Sequence, residues 1–282
     1  SVVGEKSLLK RSRVVNPGHW KAVGASSTGK SHASTNSPCQ DSFYFEYIDS
    51  ITSTGVVAAV ADGAGSARRS KEGSALVVKT YCDKVQERIA ELQLTLTQVG
   101  GFRTQDLIKA NRYAFRQARQ ALEDLSVKDD CNLAEFATTL VGVIATEHHL
   151  VVTSIGDGFV VARVSNQKEY KKIANIARGE YANETTFVTS EIFLKKGFLN
   201  NNTIAWNTSA GSVFISSDGL LRLAIDMKTE KPHEGFFNPL DKFSAQVLDP
   251  EAASNSLREF LQSAKVQSRT DDDCTLLIIR NY

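Results

Sequence analysis

The chain has 282 residues, 41% of them hydrophobic and 23% charged, with a formal net charge of +1. That length and composition suit a soluble globular protein of one large domain or two ordinary ones, and the small net charge argues against bulk attraction to nucleic acid or to an anionic membrane. No apolar run reaches the roughly 18 residues of a membrane-spanning helix, and Lys6, Lys10, Arg11 and Arg13 are not followed by the apolar stretch of a signal peptide.

In chain order, residues 1–18 read as an extension ending at Pro17-Gly18. WKAVGAS (20–26) and SFYFEYI (42–48) have strand composition, with a polar loop between them. VVAAVA (56–61) is a short, continuously apolar run, which predicts a strand buried on both faces. From about residue 70 the period lengthens. Val78, Cys82, Val85, Ile89 and Leu92 mark one face of a helix, and Ile108, Phe115, Ala118, Leu122 and Leu125 mark a second helix, with Thr104 as its expected N-cap. Strand patterns follow at 138–146, 150–156, 159–164, 170–176, 203–208 and 212–217, with His148-His149 in the first turn among them. A helical pattern near 251–264 precedes a last strand, CTLLIIR (274–280). Short strands on tight turns imply antiparallel sheets, and helices segregated from them imply an α+β fold. Two face-to-face sheets with helices on the outer faces would bury both helical stripes.

The cysteines, Cys39, Cys82, Cys131 and Cys274, lie far apart with no C-x-x-C spacing, so zinc and thioredoxin-like readings fail. Reduced thiols in a cytoplasmic protein are expected.

One local arrangement recurs. Asp62 follows VVAAVA and precedes Gly63; Asp157 follows VVTSIG and precedes Gly158; Asp218 follows VFISS and precedes Gly219. Asp272 stands just before CTLLII, and Asp41 just before SFYFEYI. Asp-Gly is by itself a common turn dipeptide. Repeated at strand margins with few nearby lysines or arginines, it suggests carboxylates whose burial needs a neutralising cation. All-oxygen ligation suits Mg²⁺ or Mn²⁺ rather than Zn²⁺.

GKSH with CQDSF, VADGAGS, FATTLVGVIA, IGDGFVVAR, FISSDGL and DDDCTLLII, in that order, resemble the motifs of the metal-dependent protein phosphatases of type 2C, and most closely the bacterial branch. The resemblance spans roughly residues 20–280. It implies a four-layer α-β-β-α sandwich with two mainly antiparallel sheets, formed by residues 19–282, with a flap-like insertion near 177–202. It implies a monomeric hydrolase of phosphoserine and phosphothreonine in proteins phosphorylated by a serine/threonine kinase, using a water activated by two, and in some cases three, Mg²⁺ or Mn²⁺ ions. On that pattern Asp62 bridges two ions, the Gly63 carbonyl binds one, Asp218 and Asp272 bind the other, Asp157 serves a third, and Asp41 holds water at the edge of the site.

The sequence departs from the family pattern at several positions. Gln40 stands where a Glu is usual, His32 where an Arg grips phosphate, and Ala64 where many members have a His; the loop from His32 to Gln40 is also longer than usual. Gln40 retains a carbonyl that orients water. His32 is read as a phosphate ligand or proton donor, against a loop histidine with a structural hydrogen bond. Lys30, Arg68, Arg69, Asn183 and Thr185 are candidates for substrate contact, the lysine and arginines against plain solvated side chains; Thr138 and Thr139 read as core-strand residues. These departures leave two alternatives: a weakly active or inactive regulatory module that binds phosphoproteins, and a phosphatase of small phosphomonoesters.

Overall fold

A computed structural model of the chain describes residues 19–50, 53–95, 101–174 and 185–282. The expected N-terminal extension, and residues 177–184 of the expected flap with Asn183 among them, lie outside the described residues.

The strands are β1 (Trp20–Ser27), β2 (Asp41–Asp49), β3 (Thr54–Asp62), β4 (Leu140–Thr146), β5 (Leu150–Ile155), β6 (Phe159–Val164), β7 (Tyr170–Ala174), β8 (Thr203–Trp206), β9 (Ala210–Ser216) and β10 (Cys274–Asn281). The helices are α1 (Lys30–Ser34), α2 (Ser70–Thr95), α3 (Thr104–Lys128), α4 (Phe198–Asn201), α5 (Leu221–Ala224), α6 (Glu234–Ala245), α7 (Pro250–Gln262) and α8 (Ala264–Gln267). Two five-stranded antiparallel sheets form, in the orders β1-β10-β9-β6-β7 and β2-β3-β4-β5-β8.

Strand β3 shows how the layers arise. Successive side chains on a strand point to opposite faces. Val56, Ala58 and Val60 pack between the sheets against Val213, Ile215, Leu277 and Ile279. Val57, Ala59 and Ala61 face the other way, into a core shared with Val77, Val78 and Tyr81 of α2 and Phe115 and Leu122 of α3. A third core joins Phe214, Leu276 and Ile278 on the outer face of the β1–β10–β9 sheet to Phe237, Leu240, Leu257 and Leu261 of α6 and α7. Each valine, leucine, isoleucine or phenylalanine side chain buried this way contributes about 1.5–3 kcal/mol relative to exposure. The result is the α-β-β-α sandwich, with its strand termini collected at the edges.

The helical stripes are as the periodicity predicts: Val78, Cys82, Val85 and Ile89 are buried on α2, and Phe115, Ala118 and Leu122 on α3. The predicted cap of α3 needs correction. Thr104 is the first helical residue, Arg103 occupies the cap position without a side-chain cap bond, and the Thr104 hydroxyl bonds Asn207 instead. Arg103 reaches forward to Asp106, at 2.8 and 3.0 Å, placing a carboxylate in the first turn where the helix dipole favours it. Helix α6 was not legible, because Pro239 lies inside it and normally ends a helix. Burial of Phe237 and Leu240 overrides that local preference. No helix of the described residues is long and apolar enough to cross a membrane.

Candidate active site

Topology delivers the recurrent aspartates to one place. Asp62 ends β3 and is the cross-strand partner of Asp41, which begins β2. Leu276 of β10 pairs with Ser216 of β9, so Asp218, just past β9, and Asp272, just before β10, lie at the same end of that sheet. Ser27 pairs with Cys274, so the segment after β1, carrying His32 and Gln40, leaves from this end too. Asp157 occupies the turn between β5 and β6. A cavity of about 280 Å³ is lined by His32, Gln40, Asp62, Gly63, Ala64, Gly65, Ser66, Thr139, Asp157, Thr185, Phe187, Asp218 and Asp272. A second cavity of about 250 Å³ lies among α6, α7 and α8; it is lined mainly by Phe236, Phe243, Phe260 and other apolar groups and has no carboxylate in its wall. The first is the cavity that gathers Asp62, Asp157, Asp218 and Asp272.

Asp62 is fixed through its main chain. Thr139 Oγ1 accepts from the Asp62 N–H at 2.9 Å, Thr139 N–H donates to the Asp62 carbonyl at 2.9 Å, and the Thr138 hydroxyl donates to that carbonyl at 3.1 Å. Both threonines are buried, so neither group competes with water. The next residue must be glycine for a packing reason: a Cβ on Gly63 would stand 2.7 Å from the Ser70 main chain at the start of α2. Gly219, after Asp218, is tighter still, since a Cβ there would lie 2.1 Å from the Asp273 carbonyl oxygen.

Asp41 is buried behind Asp62. Its Oδ2 accepts from the hydroxyls of Ser217 and Thr275, each at 2.7 Å, while its Oδ1 has no partner. Asp218 Oδ1 and Gln40 Oε1 are likewise buried without a partner. Burial raises the pKa of Asp62 strongly, and the charges of Asp41 and Asp218 add to the rise. Burial pushes Asp41 up to about 7 against the opposing hydrogen bonds from Thr275 and Ser217. Asp218 is pushed up to about 6, by burial first and then by the charges of Asp157 and Asp272. These carboxylates are crowded anions that lack countercharge. Among the described residues lining the cavity, His32 is the one basic side chain.

That arrangement fits a hard divalent cation. The donors are all oxygen, which suits Mg²⁺ or Mn²⁺, and buried oxygens stand without partners beside carboxylates that resist ionising alone. Among the described residues no three His, Cys, Asp or Glu side chains enclose a single point by themselves. The aspartates ring the cavity instead, so main-chain carbonyl and water oxygens are needed to complete a shell.

The family model for protein phosphatase 2C matches residues 28–262. The chain belongs to the protein phosphatase 2C family. Serine/threonine-protein phosphatase 3 of Escherichia coli is 32% identical over 266 residues, covering 92% of this chain and 97% of that one. Among solved structures, a bacterial serine phosphatase superposes with a TM-score of 0.57 at 14% identity, covering 94% of this chain and 98% of that one. PppA of Pseudomonas aeruginosa gives 0.55 at 18% identity over 94% and 98% of the two chains. The catalytic domain of the serine/threonine phosphatase PstP, solved with two manganese ions, gives 0.51 at 16% identity over 93% and 98%. These structural likenesses show the phosphatase 2C fold.

Within that fold the expected residues divide. Asp62, Gly63, Asp157, Asp218 and Asp272 meet at the cavity with His32 and Gln40, and Asp41 lies directly behind them. Thr185 also lines it and donates to Asp157 Oδ2 at 3.2 Å. Lys30 is exposed on α1 and is not part of the cavity wall. Arg68 and Arg69 are engaged elsewhere. Arg68 pairs with Glu135 at 2.7 Å, and Arg69 bonds Glu72 at 2.7 Å and Asp129 at 2.6 Å while stacking on Phe136. The two arginines sit where the chain turns into α2, and neither is part of the cavity wall. The sequence reading missed the residues that hold the cavity's groups in place: Ser217 and Thr275 on Asp41, Thr138 and Thr139 on Asp62, and Asp273 on the segment from Gly29 to Gln40. Single hydroxyls carry no periodic signal, and Asp273 was hidden in a run of three aspartates.

Proposed function

We propose that this serine/threonine protein phosphatase hydrolyses phosphoserine and phosphothreonine in proteins at the carboxylate cavity, with two Mg²⁺ or Mn²⁺ ions held by Asp62, the Gly63 carbonyl, Asp218 and Asp272, and Asp157 serving a third. The observation that carries this reading is the gathering of Asp62, Asp157, Asp218 and Asp272 around one cavity beside Asp41, with buried carboxylate oxygens left unpartnered. The manganese ions of the PstP structure support it by analogy of fold. When bound, such ions supply an acidified water and offset charge on the phosphoryl oxygens.

The chain's own residues do the rest. The threonine clamp on Asp62 fixes the position of the shared carboxylate on a rigid strand. Asp41, anchored by Ser217 and Thr275, backs Asp62 across the β2–β3 pair, and on this reading it holds water at the edge of the site. Gln40 offers a carbonyl in place of a second carboxylate, which orients water with one negative charge fewer. Thr185 and Phe187 form part of the wall, where a protein substrate would approach. On this reading the protein works as a monomer in the cytoplasm on targets of a serine/threonine kinase.

The test is hydrolysis of p-nitrophenyl phosphate and of a phosphothreonine peptide. Turnover that requires Mn²⁺, stops with chelator and is lost in Asp62→Ala and Asp218→Ala is expected. Activity unaffected by those substitutions would reject the site. A marked preference for small phosphomonoesters over the peptide would reject the protein-substrate assignment.

A further inference from the structure

Asp273 is 1% exposed and has no place in the proposed ligand set, yet it is the anchor of the whole segment that carries His32 and Gln40. Its Oδ1 accepts from the Gly29 N–H at 2.8 Å and its Oδ2 from the Gln40 N–H at 2.7 Å, bracketing the loop at both ends. Between these, His32 Nδ1 stands 3.0 Å from Asp273 Oδ2. That approach lies off the hydrogen-bond line, so it is an electrostatic contact rather than an aligned bond. The His32 side chain is 20% exposed, within reach of solvent, and is part of the cavity wall.

A carboxylate beside Nδ1 favours a proton there in both the charged and the neutral ring, so the proton that the imidazolium gives up is the one on Nε2. Serine and threonine alkoxides are poor leaving groups and need a proton as the bond to phosphorus breaks. No lysine or arginine is part of the described cavity wall, and Ala64 offers no acid. We propose that Asp273 is a positioning residue that presents His32 Nε2 to the leaving oxygen of the phosphorylated side chain. The inference rests on the cavity being the phosphatase site. In the step, the attacking water forms its bond to phosphorus and releases a proton to solvent. The bond from phosphorus to the serine or threonine oxygen breaks, and its electron pair stays on that oxygen. The His32 ring enters the step as the imidazolium; its Nε2 proton moves to the same oxygen, which leaves the neutral ring with its proton on Nδ1, and Nε2 is reprotonated from solvent at the exposed edge of the ring.

Wild type, His32→Gln, Asp273→Asn and the double variant are compared at saturating Mn²⁺ on a phosphothreonine peptide and on p-nitrophenyl phosphate, whose nitrophenolate leaves without a proton. His32→Gln is expected to lower kcat on the peptide about 100-fold, the lower range for a general acid, with a much smaller change in KM. The loss on p-nitrophenyl phosphate should be smaller by about tenfold or more. Asp273→Asn should show the same preferential loss of kcat on the peptide, and the double variant should be no worse than His32→Gln, as for residues that act as a unit. Equal losses on both substrates, or losses that multiply in the double variant, would overturn the proposal. A measurement on the folded wild type stands beside these: ¹⁵N spectra of His32, assigned by its loss in His32→Gln, should show the neutral ring protonated at Nδ1. The opposite tautomer would overturn the role of Asp273 even if Asp273→Asn does not fold. Absence of Mn²⁺-dependent turnover in the wild type rejects the cavity as the phosphatase site and this proposal with it. Metal-dependent turnover with equal losses rejects only the Asp273–His32 assignment.

Discussion

Thr139→Val probes the clamp on Asp62, the carboxylate proposed to be shared between the ions. The substitution keeps the branched shape of a residue that is 3% exposed and deletes the oxygen accepting from the Asp62 N–H at 2.9 Å. The main-chain bond from Thr139 N–H to the Asp62 carbonyl survives. What is lost is the acceptor of the half-buried Asp62 N–H, and a donor left unsatisfied in this way costs about 1–3 kcal/mol. With an unfolding entropy of about 2.1 cal/mol/K per residue, a chain of 282 residues loses about 0.6 kcal/mol per degree near its midpoint, so a change of about 2 kcal/mol lowers Tm by about 3–4 °C. Because the same bond sets where the Asp62 carboxylate stands, Mn²⁺ affinity should fall about 10-fold or more, as for other groups that orient ligands. Thermal unfolding in chelator gives the first quantity and calorimetric Mn²⁺ titration the second. Thr139→Ser, which keeps the oxygen, should recover most of the Mn²⁺ affinity. A Thr139→Val protein with wild-type Mn²⁺ affinity would refute the claim that the threonine positions Asp62.

In chelator, Asp41 and Asp218 have folded pKa values of about 7 and about 6, above the ordinary Asp value near 4, so their protonated forms stabilise the fold. That stability is fully present below about pH 4 and is lost as pH rises through about 6 to 7; urea midpoints should fall across this window without metal and flatten with Mn²⁺, and metal-free protein growing more stable with pH there would contradict the crowding. Gly219→Ala forces a Cβ against the Asp273 carbonyl at 2.1 Å, so the start of β10 must shift; a loss of about 1–3 kcal/mol and weaker Mn²⁺ binding are expected, and unchanged unfolding would show the contact to be slack. Arg68→Ala should leave KM for a phosphopeptide within about twofold, since Arg68 is 78% exposed and paired with Glu135, a kind of pair worth about 0–1 kcal/mol. A large rise in KM would return Arg68 to the substrate surface. Arg119→Met unties the segment behind Thr185 and Phe187, because buried Arg119 donates to the carbonyls of Val188 at 2.9 Å and Ser190 at 2.7 Å. It should raise KM for the peptide more than for p-nitrophenyl phosphate; equal effects would make the tie purely structural.

Much of this molecule was legible because its strands are short and strongly patterned. VVAAVA announced a strand buried on both faces, and β3 does divide its alternate side chains between two cores. The aspartates at strand ends were legible as a set, since antiparallel pairing carries Asp41 to Asp62 and brings the ends of β9 and β10 together. Hydrogen bonds from side chains to main chain were not legible. Thr138 and Thr139 look like ordinary strand residues until the bend after Asp62 brings their hydroxyls onto its backbone. For Arg68 and Arg69, nearness in sequence to the Asp62 turn does not amount to a place in the cavity wall: Glu135, Glu72 and Asp129 engage them outside it. Helix α6 was obscured by Pro239, whose local penalty is outweighed by the core contacts of Phe237 and Leu240.

The central claim is that folding assembles these separated aspartates into a cradle for a pair of hard cations. Anomalous scattering from crystals grown in Mn²⁺ tests it most directly. Two peaks are predicted in the cavity, both in contact with Asp62, one also with the Gly63 carbonyl and the other with Asp218 and Asp272. A cavity without manganese, or ions that do not touch Asp62, would contradict the account.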